Sequence, residues 1–287
     1  MAPTITLKEL VPEWLKPLTA LEEKLLAAAA LGVQTSSVPE RAEVDLDALG
    51  EAQVVRGAFL AWLLTAPGCQ PLIDYRGVHL RGAKINGGLD LQDARVPYPL
   101  RLVKCILEGE TVLERGEFHY LVLTGSRTGA IKADEVKVKN DLEMNQGFQA
   151  QGEVSLLGAE IGGQLSCIGG EFENAGKVAL GCDQMHVTGG VFLQNGFIAQ
   201  GAVRLHGAPQ RLVLGVVVHH QHFEVRVVEL RQGVERLDQH RRGLGVGRHV
   251  DRDLRARRAG RLARAENPAM ARDPVSFGPL VRFGEQH

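Results

Sequence analysis

Aromatic side chains are scarce in this 287-residue chain, at 5% of residues, with two Trp and three Tyr. A sugar-binding cleft built on stacked rings is therefore a poor fit. No run of about 18 apolar residues occurs, which weighs against a transmembrane helix. The start, Met1-Ala-Pro-Thr-Ile-Thr-Leu-Lys-Glu, lacks a basic segment followed by an apolar one. No secretory signal is expected, and a cytoplasmic protein, peripheral to a membrane at most, is the reading. The four cysteines, Cys69, Cys105, Cys167 and Cys182, include no C-x-x-C pair. They are expected to be buried, reduced thiols rather than zinc ligands. No metal ligand and no cofactor-binding residue is assigned. Lysine is absent after Lys177.

That last absence divides the chain. Residues 1–208 carry 18 Lys+Arg and 25 Asp+Glu, whereas residues 209–287 carry 15 Arg and 9 Asp+Glu. The whole-chain charge of −1 averages two unlike pieces.

Residues 1–72 read as a helical cap. Thr19-Ala-Leu-Glu22 matches a capping box, and Gly32 stands where a C-terminal cap belongs. Val54 through Leu63 predict a second helix, stopped by Pro67-Gly68. Trp62 is taken as core.

Glycine is plentiful, at 34 residues, and it falls within repeats. Spans 142–159 and 191–208 share nine identities at an offset of 49, including Gly147-Phe148-x-Ala150-Gln151-Gly152 against Gly196-Phe197-x-Ala199-Gln200-Gly201. Val78-x-Leu80-x-Gly82-Ala83-x-Ile85-x-Gly87-x-Leu89 recurs as Val154-x-Leu156-x-Gly158-Ala159-x-Ile161-x-Gly163-x-Leu165. Beneath these copies, apolar i, i+2 pairs recur mostly every 10 to 13 residues, with small-x-apolar pairs between them. An i, i+2 pair puts two side chains on one face of an extended strand. Short strands, regular corners and one apolar side describe a coil wound around a solid core. The expectation is a mainly β protein. A right-handed parallel β-solenoid of about six ~22-residue coils spans residues 73–208, with the helical cap before it and an irregular tail after it. Val78, Leu80, Leu89, Leu91, Leu100, Leu102, Val154, Leu156, Leu165, Val191, Val203 and Leu205 should point inward. The helix holding Phe59 and Trp62 should cover the first coil near Val78 and Leu80.

The small-x-(Leu/Ile) texture resembles pentapeptide-repeat proteins, whose coils have four faces. The string from Gly158 to Phe172 resembles more closely a bacterial group of uncharacterised β-helical proteins, often labelled membrane-associated oxidoreductases. That resemblance covers roughly residues 18–208 and implies a solenoid fold and, by label only, a redox role at a membrane.

The repeat stops in mid-motif at Ala208, so the Arg-rich tail 209–287 is read as disordered or as an out-of-frame translation of former solenoid. A basic arm for nucleic acid or anionic lipid is the alternative, through Arg252, Arg255, Arg257, Arg258, Arg261 and Arg264. His219-His220-x-His222 with Glu224 is a weak metal pattern, and Gly243-Leu-Gly245-Val-Gly247 lacks the spacing of a dinucleotide loop. Glu108, Glu110, Glu114 and Glu117 cluster in sequence and invite a glycosidase-like carboxylate pair. No catalytic residue is assigned, which leans against an enzyme. A scaffold that docks a protein partner is the leading reading. A membrane-linked redox protein, a carbohydrate-active enzyme and a DNA-mimicking inhibitor are the alternatives. The last suffers from weak charge, since residues 78–208 carry 12 basic and 15 acidic side chains.

Overall fold

The computed structural model describes residues 5–39, 42–207, 212–216 and 224–226. Parallel strands stack into a β-solenoid of about six turns. Each coil passes through four faces in order. In the first coil face I is Val78–Arg81, face II Lys84–Asn86, face III Leu89–Asp90, and face IV begins at Arg95. Face I stacks Val78, Leu100, Leu121, Leu142, Leu165 and Val191. Face II stacks Ile85, Leu107, Thr128, Ala150, Phe172 and Ala199. Face III stacks Leu89, Thr111, Ile131, Val154, Leu180 and Val203. Face IV stacks Val96, Phe118, Val138, Ile161 and Val187.

The twelve residues expected to point inward are all buried, none above 4% exposure. Because successive side chains alternate across a strand, the intervening residues form the outer faces. The strands are short because each coil turns at regular corners. Two corners per coil hold a residue with left-handed backbone. One column is Gly82, Lys104, Gly125, Gln146, Gly169 and Asn195; the other is Asp93, Arg115, Glu135, Gly158, Gln184 and Gly207. Glycine adopts that conformation without a Cβ penalty, which is why Gly recurs there in the sequence. The corners lie half a coil apart, so a coil is two similar halves of about 11 residues. The match of Val78–Leu89 to Val154–Leu165 is therefore between unlike halves. Val78 begins face I, and Val154 begins face III.

The copy at offset 49 joins every second coil, and the core explains it. Phe148 and Phe197 precede Ala150 and Ala199 by two residues, while the coil between them has Gly170 before Phe172. The three rings interleave, with centroids 5.5 and 5.4 Å apart, and all are fully buried. A Cβ on Gly170 would stand 2.8 Å from the Met144 carbonyl and 3.1 Å from the Phe172 ring, so the small residue leaves room for both the backbone and the ring. Face IV repeats the device once, with Gly116 before Phe118 where other coils have Ala94-x-Val96 or Ala159-x-Ile161.

The fifth coil is longer. Val154 pairs with Leu180 and Ile161 with Val187, steps of 26 residues, against 21 from Leu121 to Leu142. The extra residues leave the ladder between Glu173 and Val178, where Asn174 Nδ2 donates to the Val178 carbonyl at 2.6 Å.

The first 72 residues are less helical than expected. Helix α1 is Ala20–Leu31, and α2 is Gly57–Thr65. The capping box at Thr19 and Glu22 forms, and Gly32 closes α1 with a left-handed φ of 63°. Two short strands, β1 (Gln34–Ser36) and β2 (Val54–Arg56), add a partial coil at the N-terminal end. Thr35 stacks on Leu80, and Val55 on Ile85. Val54 and Val55 were expected in the second helix. Their β-branched side chains instead fill the ladder, and the helix starts at Gly57. Glu22, fully buried, binds them together. It accepts from Thr19 N at 2.9 Å, from Arg56 N at 3.0 Å and from the Arg56 guanidinium at 2.8 and 2.6 Å. Helix α2 lies against Leu89–Asp90 and the strand from Arg95, not over Val78 and Leu80, whose strand meets β1 and α1 instead.

At the other end, Leu212–Val216 and Glu224–Arg226 pair with the last coil, Leu212 beside Val191 and Val225 beside Val203. The ladders thus run past Ala208, where the sequence repeat stops. The remainder of the Arg-rich tail lies outside the described residues.

Candidate functional site

The interior is almost wholly apolar, so any site must lie on an outer face. Face I carries a bonded polar row in which His79, Arg101, Val122, Glu143 and Ser166 occupy successive rungs. The Arg101 guanidinium lies 5.1 Å over the Tyr120 ring, and the Tyr120 hydroxyl donates to Glu143. Burial, then its bond to the Glu143 carboxylate, raises the Tyr120 hydroxyl pKa. Thr124 Oγ1 donates to Asn145 at 2.7 Å, and Asn145 Nδ2 to Ser166 Oγ at 3.4 Å. Burial, and secondarily the Arg101 charge, lowers the pKa of His79, whose Nε2 lies 2.5 Å from the Arg101 guanidinium and 2.8 Å from the Arg76 carbonyl oxygen. Ser166 has an amide beside it and not a base, so this row is a mutually satisfied network rather than an activated nucleophile.

Faces II and III are laced with charge pairs. Lys84 meets Glu108 at 2.9 Å, Lys132 meets Glu110 at 2.5 Å, and Arg127 meets Asp47 at 2.7 Å. These pairs place the four clustered glutamates. Glu114 lies 3.8 Å from Arg115, and Glu117 lies 3.5 Å from Arg95 on face IV. The coil thus spreads them around its perimeter, each near a cation, although Arg115 is held mainly by Asp93 at 2.7 Å. Glu108 and Glu110 share a groove of about 430 Å³ with Gly57, Gly88 and Gly109, and no aromatic lines it.

Face IV differs. Its outer rungs read Arg95, Glu117, Lys137, Glu160 and His186, in register and all exposed. A second row beside them runs Pro97, His119, Lys139, Gly162 and Thr188, and the two rows line an open groove of about 570 Å³. This ladder was missed in the sequence, although its signal is there. Each member is the central residue of a small-x-apolar or equivalent triplet, as in Ala94-Arg95-Val96 and Gly116-Glu117-Phe118.

All four cysteines are buried and unpaired. Burial raises the thiol of Cys69 to about 11 and that of Cys105 to about 12, so neither is a ready nucleophile at neutral pH. Among the described residues, no three His, Cys, Asp or Glu side chains converge as metal ligands, and no helix is long and apolar enough to cross a membrane. His219, His220 and His222, the Gly243–Gly247 string and Arg252–Arg264 lie outside the described residues.

No family model, curated protein or solved structure matches the chain.

Proposed function

We propose that this chain is a scaffold, a β-solenoid that acts by presenting flat, ordered outer faces to a protein partner. The observation that carries this reading is the division of side chains. The inner columns are almost wholly aliphatic or aromatic, while polar groups stand in register along the outside. A stacked array of this kind offers an extended surface without a catalytic cleft. A cytoplasmic setting agrees with four buried, unpaired cysteines. Supporting this reading further, Lys84, Arg127 and Lys132 on faces II and III are each paired with a carboxylate within the molecule, which suits a stable presenting surface.

The test is site-specific photo-crosslinking in the native host from Arg101, Gln151, Asp90 and Lys139, one position on or beside each face. A partner captured repeatedly from one face and not from its opposite supports docking. Absence of crosslinks from all four, together with flavin absorbance in the purified protein, would replace docking by the redox role that the family label implies.

A further inference from the structure

The signs of the first four rungs of face IV alternate: Arg95, Glu117, Lys137, Glu160. Within the chain these charges satisfy one another poorly. Arg95 and Glu117 approach only to 3.5 Å, as do Lys137 and Glu160, and the four side chains are between 55% and 81% exposed. Ion pairs so long and so wet contribute little. On this face, among the described residues, both outer rows are exposed apart from the half-buried His119.

We propose that face IV is where two copies of this chain associate, antiparallel, about a two-fold axis crossing the ladder between Glu117 and Lys137. This rests on the scaffold reading and commits it to one partner. An alternating series of four, turned end for end, presents the opposite sign at every rung. Arg95 then faces Glu160 of the second copy, and Glu117 faces its Lys137. Both contacts occur twice, as an isologous interface requires. A two-fold axis along the ladder would instead set each charge against itself. A different protein would need the opposite signs at the same spacing of about 4.8 Å, whereas a second copy supplies both. In the second row the same rotation sets compact Pro97 against Gly162 of the other copy, and His119 against its Lys139 beside the axis. Three coil steps span about 14 Å, which places the contact among small, weak interfaces and makes it salt-sensitive.

The test is sedimentation equilibrium of the full chain over a wide concentration range. A monomer–dimer equilibrium is expected at about 50 mM NaCl, weakening steeply by about 500 mM. Glu117→Lys should weaken association about tenfold or more, because it sets like charges at two symmetric contacts. Glu117→Lys with Lys137→Glu should restore association, since opposite signs again meet across the axis. Within one chain that double change leaves like charges on adjacent rungs, beside Arg95 and beside Glu160, so thermal stability should not recover with it. Recovery of association without recovery of stability separates the interface from an intrachain ladder, and circular dichroism confirms that each variant is folded. A chain that stays monomeric, a dimer indifferent to Glu117→Lys, or a double variant no better than the single overturns the proposal. None of these outcomes touches docking of another protein on a different face.

Discussion

Replacing Gly116 by alanine should destabilise the solenoid on its own and much less when Phe118 is replaced by valine. A Cβ on Gly116 would stand 2.6 Å from Phe118 Cε2, 3.0 Å from the Leu113 carbonyl and 3.2 Å from the Leu91 carbonyl. The carbonyl contacts are not the obstacle. Ala94, Val136 and Ala159 occupy the same corner and carry a Cβ, with the same amide bond to the carbonyl three residues back, at 3.1, 3.3 and 3.2 Å. The obstacle is the ring, so Gly116→Ala is an overpacking change costing about 1–3 kcal/mol. Phe118→Val removes part of a side chain that is 3% exposed. Phe→Ala in a core costs about 3–5 kcal/mol, and valine retains some of the contacts, so about 2–3 is expected. Independent effects would sum to about 3–6 kcal/mol. The double variant instead recreates the Ala-x-Val pattern of residues 94–96, and its cost should be about 1–2 kcal/mol. Urea titration with an unchanged slope measures all three. Additivity within about 0.5 kcal/mol would refute the size compensation.

Thr111 and Thr128 have buried hydroxyls without a hydrogen-bond partner, in columns otherwise filled by apolar residues. Thr111→Val should raise stability by about 1–2 kcal/mol in the same titration, and any loss would mean that the hydroxyl is satisfied. Arg56→Met should cost about 3–5 kcal/mol by stranding the fully buried Glu22 carboxylate, which differential scanning calorimetry would report as a lower Tm. Since its folded pKa is lowered, His79 takes up its proton more readily in the unfolded chain. Its contribution is complete above about pH 6.5 and declines as pH falls through that value toward the folded pKa. His79→Gln should flatten the loss of Tm between about pH 7 and 5, and an unchanged slope would exclude His79 as its source.

How far residues disclosed structure depended on whether the information was periodic. Leu80, Leu102 and Leu156 were legible as core because alternation places them without knowledge of their neighbours. The Thr19–Glu22 box was legible for the same local reason. Its larger role was not, because the Arg56 that completes it is 34 residues away. Val54 and Val55 misled because a short apolar run suits a helix or a strand, and only the ladder beside Ile85 decides. The charge ladder of face IV was hidden in another way. Its members lie 20 to 26 residues apart, so their alternation emerges only after the coils are aligned.

The long fifth coil shows how position is encoded in this molecule. Between Glu173 and Val178 the chain strays outward, with Gly176 in open space, and then every column resumes at its own rung. The solenoid behaves as a ruler whose graduations are set by side chains meeting along its axis, not by residues counted along the chain. Editing the rim leaves the graduations where they were. A peptide spliced beside Gly176 should therefore be carried as cargo at a fixed height, and lengthening the ruler requires only whole coils.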